Sequence, residues 1–203
     1  MIKNVVFDFG QVLVRFSPAE MVRKRVADER DAAVLEAVVF DRLYWDKLDE
    51  GTIENEEVVK AFQSWLPNRL LPVAEEIFYD WVHGLPPIEG MAELVYYVKE
   101  ALKKRVFLLS NISTYFVEHA AEYPVLAAFE NCVFSAVCGL VKPSEEIYRY
   151  LCEANGILPS ETLFIDDSPK NIAGAEACGI KGYLFDGDAG KLKDYLNEIC
   201  AEE

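Results

Sequence analysis

Apolar residues in this chain fall into two kinds of run. Continuous β-branched and aromatic runs cover Ile2–Phe7, Val106–Leu109 and Thr162–Ile165, with shorter ones at Val133-Phe134 and Gly182–Phe185. The first three end at Asp8-Phe9-Gly10, Ser110-Asn111 and Asp166-Asp167-Ser168-Pro169. Runs without polar alternation read as strands of a parallel sheet covered on both faces, because no side of the strand is left for water. Between them, apolar positions recur at helical spacing. Leu94, Val95, Val98 and Leu102 do so within 91–104, and Ile147, Tyr148 and Leu151 within 144–155, where Ser144 takes the N-cap position. The Ala-rich stretch 171–178 stops at Gly179, a residue suited to the position after a helix end. Strands alternating with helices predict right-handed βαβ units and a doubly wound, Rossmann-like α/β sheet. Ligands of such sheets bind beyond the carboxyl ends of the strands, where the polar residues of this chain lie.

Residues 15–84 break the alternation. Helix follows helix, with spans expected at Pro18–Asp28, Asp31–Phe40, Asn55–Trp65 and Pro72–His83, and with turn chemistry at Leu48–Thr52 and Trp65–Asn68. The expected organisation is an α/β core of residues 1–14 and 85–203 interrupted by an all-helical cap of residues 15–84. Arg15-Phe16-Ser17-Pro18 and Gly84-Leu85-Pro86-Pro87 are the candidate hinges. The aromatic set Trp45, Trp65, Trp81, Phe78 and Tyr79 is expected to pack the interior of the cap, the alternative being that part of it lines a sugar-sized pocket.

Charge narrows the range of partners. With 20 Lys+Arg against 35 Asp+Glu the chain carries −15 at neutral pH. That balance disfavours nucleic acid and anionic membrane surfaces, and it obliges any site for a small anion to build local positive charge against the overall field. The opening apolar run is too short for a signal or a membrane span, and no later run is long enough to cross a bilayer. Five cysteines without CxxC spacing indicate neither a disulfide framework nor a zinc site, so free thiols in a reducing cytoplasm are expected.

Against that background, four polar signals acquire a common logic. Asp8 is a carboxylate nucleophile, weak by itself against an anionic phosphorus centre. The adjacent Asp166-Asp167 pair carries like-charge repulsion that a cation relieves, and hard oxygen ligands at this density favour Mg²⁺. Such an ion, held by Asp8 and the pair, neutralises phosphoryl oxygens and aligns attack. Lys142 adds a second positive charge, and the Ser110 hydroxyl with neighbouring backbone N–H groups hydrogen-bonds the transferred group. Taken singly, each has a plain structural reading: a strand-end turn, an N-cap, a solvated lysine.

Val-Val-Phe-Asp8-Phe-Gly-Gln-Val-Leu, Leu-Leu-Ser110-Asn111, Gly-Leu-Val-Lys142-Pro143 and Phe-Ile-Asp166-Asp167-Ser-Pro-Lys-Asn171 resemble the four ordered motifs of the haloacid dehalogenase-like hydrolase superfamily. The insertion after the first motif, with its stretch from Trp45 to Glu54, is similar to the helical cap of the subgroup containing phosphoglycolate phosphatases and β-phosphoglucomutases. The Asp-x-Gly of the first motif is similar to that of the bacterial α-glucose-1-phosphate phosphatases. The resemblance implies that Asp8 is the catalytic nucleophile, becoming an aspartyl phosphate. It implies that Asp8, the Gly10 carbonyl, Asp166 and Asp167 hold Mg²⁺, and that Ser110, Asn111 and Lys142 bind phosphate along with Phe9 and Gly10. The implied partner is a small phosphorylated metabolite, with monomer or homodimer left open.

One position departs from the family pattern. Most phosphatases of the superfamily carry a second Asp two residues after the nucleophile as general acid and base; here Gly10 stands there. Such assistance is worth about 10²–10⁴-fold. Its loss implies a slow phosphatase, a leaving group that needs little protonation (an anomeric sugar phosphate, for example), or a proton donor supplied by the cap or the substrate. Gln11 orients water at most. His83 and His119 are weighed as acid–base residues against a helix-end and a helix-surface role, and Arg15 and Phe16 are candidate specificity contacts. Two other readings stand beside the Mg²⁺-dependent phosphatase: a phospho-ligand-binding or interaction protein that has lost catalysis, and a metal-free haloacid dehalogenase, against which the Asp166-Asp167 pair argues.

Overall fold

The computed structural model describes residues 1–201. The chain runs through β1 (Asn4–Phe7), α1 (Pro18–Arg23), α2 (Glu29–Val39), α3 (Arg42–Glu50), α4 (Asn55–Phe62), α5 (Leu71–Asp80) and α6 (Met91–Glu100). It continues through β2 (Arg105–Ser110), α7 (Thr114–His119), β3 (Asn131–Phe134), α8 (Ser135–Cys138) and α9 (Glu145–Asn155). It closes with β4 (Thr162–Asp166), α10 (Pro169–Ala177), β5 (Lys181–Leu184) and α11 (Ala189–Ala201). The five strands form one parallel sheet in the order β3-β2-β1-β4-β5, the α/β fold expected from the apolar runs.

Alternation along β1 explains why the sheet is covered twice. Val5 and Phe7 face a cluster with Leu94, Val95 and Val98 of α6 and Leu192 and Leu196 of α11. Val6 faces the opposite cluster, with Ile147, Tyr148 and Leu151 of α9 and Ile172 and Ala175 of α10. The register pairs Phe7 with Leu108 of β2 and with Ile165 of β4, so Asp8 and Asp166 come level at the carboxyl edge. Strand order reverses between β1 and β4, and the crevice of a doubly wound sheet opens at that reversal.

The inserted helices α1–α5 carry a hydrophobic cluster of their own, with every fully buried member between Val22 and Phe78. Leu35, Val58, Phe62 and Phe78 are fully buried there, and Phe62 and Phe78 meet edge-to-face with centroids 5.6 Å apart. The two connections to the sheet layer are zipped together. Val14 bridges Pro87, the Arg15 N–H donates to the Pro86 carbonyl at 2.7 Å, and the Ile88 N–H donates to the Leu13 carbonyl at 2.9 Å.

Several expected boundaries shift for identifiable reasons. The helix expected over Pro18–Asp28 stops at Arg23, because the Asp28 carboxylate accepts from Arg30 N and Asp31 N and so opens α2 instead. Helix α3 has no counterpart among the expected helices. Asp41 caps it, Trp45 and Leu48 bury one face, and the segment expected as a linking turn, Leu48–Thr52, is helical through Glu50 and turns only at Gly51. The helix expected from Asn171 begins at Pro169, whose missing N–H costs nothing in the first turn. Helix α11 was not expected at all; its buried Leu192 and Leu196 are separated by charged residues. The aromatic set divides. Phe78 and Tyr79 join the helical cluster, Trp65 is 66% exposed, and Trp45 and Trp81 belong to the cluster shared with the sheet.

Because the helical cluster is separate from the sheet, a cavity inside it acts on α1–α5 first. We expect Phe62→Ala to lower stability by about 3–5 kcal/mol, measured by urea denaturation. Amides of α1–α5 should lose protection from hydrogen exchange before those of β1 and β4.

Candidate active site

Lys142 is the centre of the site. It is 4% exposed, in the loop between α8 and α9, and its ammonium touches three acceptors. These are Asp8 Oδ1 at 2.9 Å, Asp166 Oδ2 at 2.7 Å and the Leu109 carbonyl at 3.0 Å. All three of its protons are committed. Asp8 Oδ1 also accepts from the Phe9 N–H at 2.7 Å, which leaves Oδ2 as the oxygen with uncommitted lone pairs. Asp166 is fully buried and saturated with donors. Its Oδ1 accepts from Ser168 N at 2.8 Å and Asn171 Nδ2 at 3.0 Å, and its Oδ2 accepts from Lys142 and again from Asn171. Asp167, next in the chain, lies exposed at the rim. Carboxylate oxygens of Asp8, Asp166 and Asp167 lie within 4.8 Å of one another.

Electrostatics here is a matter of too many carboxylates for one ammonium. Burial pushes the Asp8 carboxyl up to about 7, with Asp166 adding to the rise and Lys142 opposing it. Burial works against the Lys142 charge, but Asp8 and Asp166 outweigh it and hold the ammonium above its usual value. Asp167 is raised by burial and by Asp166. Three carboxylates and one ammonium leave a formal charge of −2 in a cluster made only of hard oxygen acceptors. One hard divalent cation balances it.

Asn111 acts on the lysine from the main-chain side. Its Oδ1 accepts from Lys142 N at 2.8 Å and its Nδ2 donates to the Lys142 carbonyl at 2.9 Å, so the side chain expected at phosphate is occupied in clasping the lysine backbone. Ser110, the last residue of β2, is 2% exposed and lines a cavity of about 170 Å³ beside Phe9, Gly10 and Ile112. From the helical layer that cavity receives Arg42, Trp45 and Asp49 of α3, together with Phe16 and Trp81. Arg42, Asp49 and Asn111 also face a wider hollow of about 520 Å³ that reaches Lys142, Lys170 and Asn171.

The end of α3 is docked tightly on the sheet layer. The buried Ser135 hydroxyl donates to the Asp49 carbonyl at 2.6 Å and accepts from the Ile112 N–H at 2.8 Å, tying helix and strand-end loop to one oxygen. Gly51 takes φ +68°, and a Cβ there would lie 2.5 Å from the Ala136 carbonyl oxygen. Only glycine meets both conditions at that contact. Asp49 is thereby held half-buried over the loop that follows β2. Burial pushes its carboxyl up to about 7; Arg42 and Lys142 pull it down, while Asp46 and Asp8 push it further up.

The sequence-based candidates therefore separate. Asp8, Lys142 and Asp166 are in direct contact, Asp167 borders them, and Phe9, Gly10, Ser110 and Asn111 line the cavity. Phe16 also lines it, whereas Arg15 pairs with Glu20 at 3.3 Å outside it. His83 and His119 meet each other, with ring centroids 4.9 Å apart, and neither lines the cavity. The sequence reading missed Arg42, Asp49 and Ser135 and gave Asn171 no role. Asp49 stood in a stretch taken for a turn, and nothing local marks Ser135.

A carboxylate–lysine centre at the switch point of a β3-β2-β1-β4-β5 parallel sheet, roofed by an inserted helical layer, defines a Rossmann-like α/β architecture with its acidic centre at the crevice. The chain belongs to the haloacid dehalogenase-like hydrolase family, whose sequence profile matches residues 2–179. It is 27% identical over 185 residues to a D-ribitol-5-phosphate phosphatase of Bacteroides thetaiotaomicron, covering 85% of this chain and 86% of the relative. In fold it is similar to a predicted HAD-like family hydrolase from Porphyromonas gingivalis, with a TM-score of 0.75, 28% identity and full coverage of both chains. A HAD family enzyme from B. thetaiotaomicron, solved in complex with magnesium and inorganic phosphate, shares the fold with a TM-score of 0.71 at 22% identity, over 95% of this chain and 99% of that one. These relatives add nothing to the narrower likeness to glucose-1-phosphate phosphatases.

Two buried carboxylates around one ammonium make Asp8 costly to keep charged. A group whose folded pKa is raised adds stability at low pH and loses it as pH rises from about 4 to about 7. In chelator, Asp8→Asn should therefore melt above the wild type at pH 8, with the gap closing towards pH 5. A lower melting temperature for the variant at pH 8 would show that Asp8 is not under that strain.

Proposed function

We propose that this chain is a Mg²⁺-dependent phosphatase of small phosphorylated metabolites, with sugar and polyol phosphates as the substrate class. The observation that carries the reading is the convergence of Asp8, Asp166 and Lys142 at the switch point, with Asp167 completing a centre of charge −2. The donor set fits magnesium. Asp8 Oδ2 and the exposed Asp167 carboxylate are uncommitted oxygens, while Asp166 is held rigid by Lys142, Ser168 and Asn171 and suits an outer, supporting position. The relatives support it too, one being named for a phosphorylated polyol and one solved with magnesium and phosphate.

In this reading Asp8 Oδ2 attacks phosphorus, forming a P–O bond as the ester oxygen departs; water then attacks the aspartyl phosphate and returns Asp8 as carboxylate. Bound magnesium supplies charge neutralisation at the phosphoryl oxygens. Lys142, with its backbone clasped by Asn111, keeps Asp8 aimed along β1 and presents positive charge to the transferred group. Ser110 and the N–H groups of the loop after β1 hydrogen-bond phosphoryl oxygens. Residues 15–84 act as the cap. Phe16, Trp45 and Trp81 close the cavity with ring centroids 5.1–5.7 Å apart, dry walls that suit a small ligand whose carbon skeleton packs against aromatic faces.

Purified chain incubated with a panel of sugar, polyol and aryl phosphates should release phosphate with Mg²⁺ and stop on addition of chelator. Asp8→Asn should abolish release while keeping the fold. Turnover that survives either change would overturn the assignment.

A further inference from the structure

We infer that Asp49, at the end of α3, is the general acid and base of the reaction, delivering from the cap the proton chemistry that Gly10 cannot supply; this rests on the phosphatase reading above. Four observations converge on it. The position two residues after Asp8 is glycine, and among the described residues no other carboxylate lines the cavity of about 170 Å³ that holds Gly10 and Ser110. Asp49 also faces the wider hollow that Lys142 lines, so one carboxyl borders both spaces. Its placement is enforced: Ser135 fixes its carbonyl against the loop after β2, and the Gly51–Ala136 approach allows no side chain to wedge the layers apart. Finally, its carboxyl is pushed by burial up to about 7, where both acid and base forms are populated near neutral pH. The charged groups that act on it are Arg42 and Asp46 on its own helix, and Lys142 and Asp8 of the sheet layer.

The chemistry balances. As Asp8 Oδ2 bonds to phosphorus and the P–O bond to the leaving group breaks, the Asp49 carboxylic acid gives its proton to the departing oxygen, releasing the alcohol. The Asp49 carboxylate then takes a proton from the water that attacks phosphorus, Asp8 leaves as carboxylate, and phosphate is formed with Asp49 protonated again. The sum is ester plus water giving alcohol plus phosphate. Gly10 itself is not sterically closed to an acid, since a Cβ there meets nothing within 4 Å. A second acid is therefore absent from that position although there is room for one.

The test compares leaving groups. Asp49→Asn keeps the backbone carbonyl that receives the Ser135 hydroxyl. With an alkyl phosphate and Mg²⁺, kcat should fall about 10²–10⁴-fold. With p-nitrophenyl phosphate, whose leaving group needs no proton, the variant should release a burst of one nitrophenolate per chain and then turn over slowly. Intact-mass measurement should find phosphorylated protein accumulating. Adding Gly10→Asp to Asp49→Asn should restore turnover. If the asparagine variant does not fold, Asp49→Ala with added formate provides the same comparison. An unchanged kcat, or a loss confined to KM and equal for both substrates without a burst, overturns the assignment to Asp49 and leaves the phosphatase standing. A wild type without Mg²⁺-dependent turnover overturns both.

Discussion

A single buried ammonium shared by two buried carboxylates sets the terms for everything around it. Lys142 reaches Asp8 and Asp166 only because β1 and β4 are adjacent, parallel and in a register that brings both carboxylates to the same level. Removing the ammonium from such a cluster leaves two carboxylates without compensation in a medium that solvates them poorly. The surroundings are accordingly built to hold the lysine still. Asn111 grips its main chain from the β2 side, Leu109 accepts a proton from its tip, and Asn171 with Ser168 absorbs the remaining lone pairs of Asp166. Asn111, Lys142 and Asp166 thus form one hydrogen-bonded rim drawn from the loop after β2, the loop after α8 and the end of β4. The imbalance left over, with Asp167 added, is a formal charge of −2.

The parts legible in the amino-acid order were those in which local pattern and tertiary role coincide. Val5 to Phe7, Val106 to Leu109 and Leu163 to Ile165 are buried on both faces, so their apolar continuity identifies them without knowledge of neighbours. Asp8, Ser110 and Asp166 follow from the same logic, being the first polar residues after the buried apolar runs of β1, β2 and β4. Helix α3 was obscured because its last turn, Leu48-Asp49-Glu50, is polar on the side that faces the cavity and the solvent, which is how a turn also looks. The spacing places Trp45 and Trp81 in the cap interior; Trp45 does stack on Phe40 and donates to the Val39 carbonyl, but both rings also meet the linker residue Phe16, and Trp81 stacks on Phe116 of α7. Ser135 lies 86 residues from the carbonyl it holds, a separation over which no periodicity carries information.

The docking of α3 also bears on how the two layers divide their labour. The sheet layer presents Asp8, Lys142 and the carboxylate pair, and the inserted layer presents Arg42, Trp45 and Asp49 to the cavity beside Gly10 and Ser110, with Arg42 and Asp49 also facing the hollow that Lys142 lines. Charge handling and shape selection are therefore borne by different stretches of chain, joined at Ser135 and Gly51.

The crossings between the layers have an evolutionary consequence. Val14 and Pro87 lie side by side and Arg15 is bonded to Pro86, so some seventy residues depart from and rejoin the scaffold through one doorway. An insert with adjacent ends can be lengthened, shortened or exchanged for another bundle without disturbing any strand pairing. The sheet can then remain a fixed engine while natural selection works on a replaceable cassette above it.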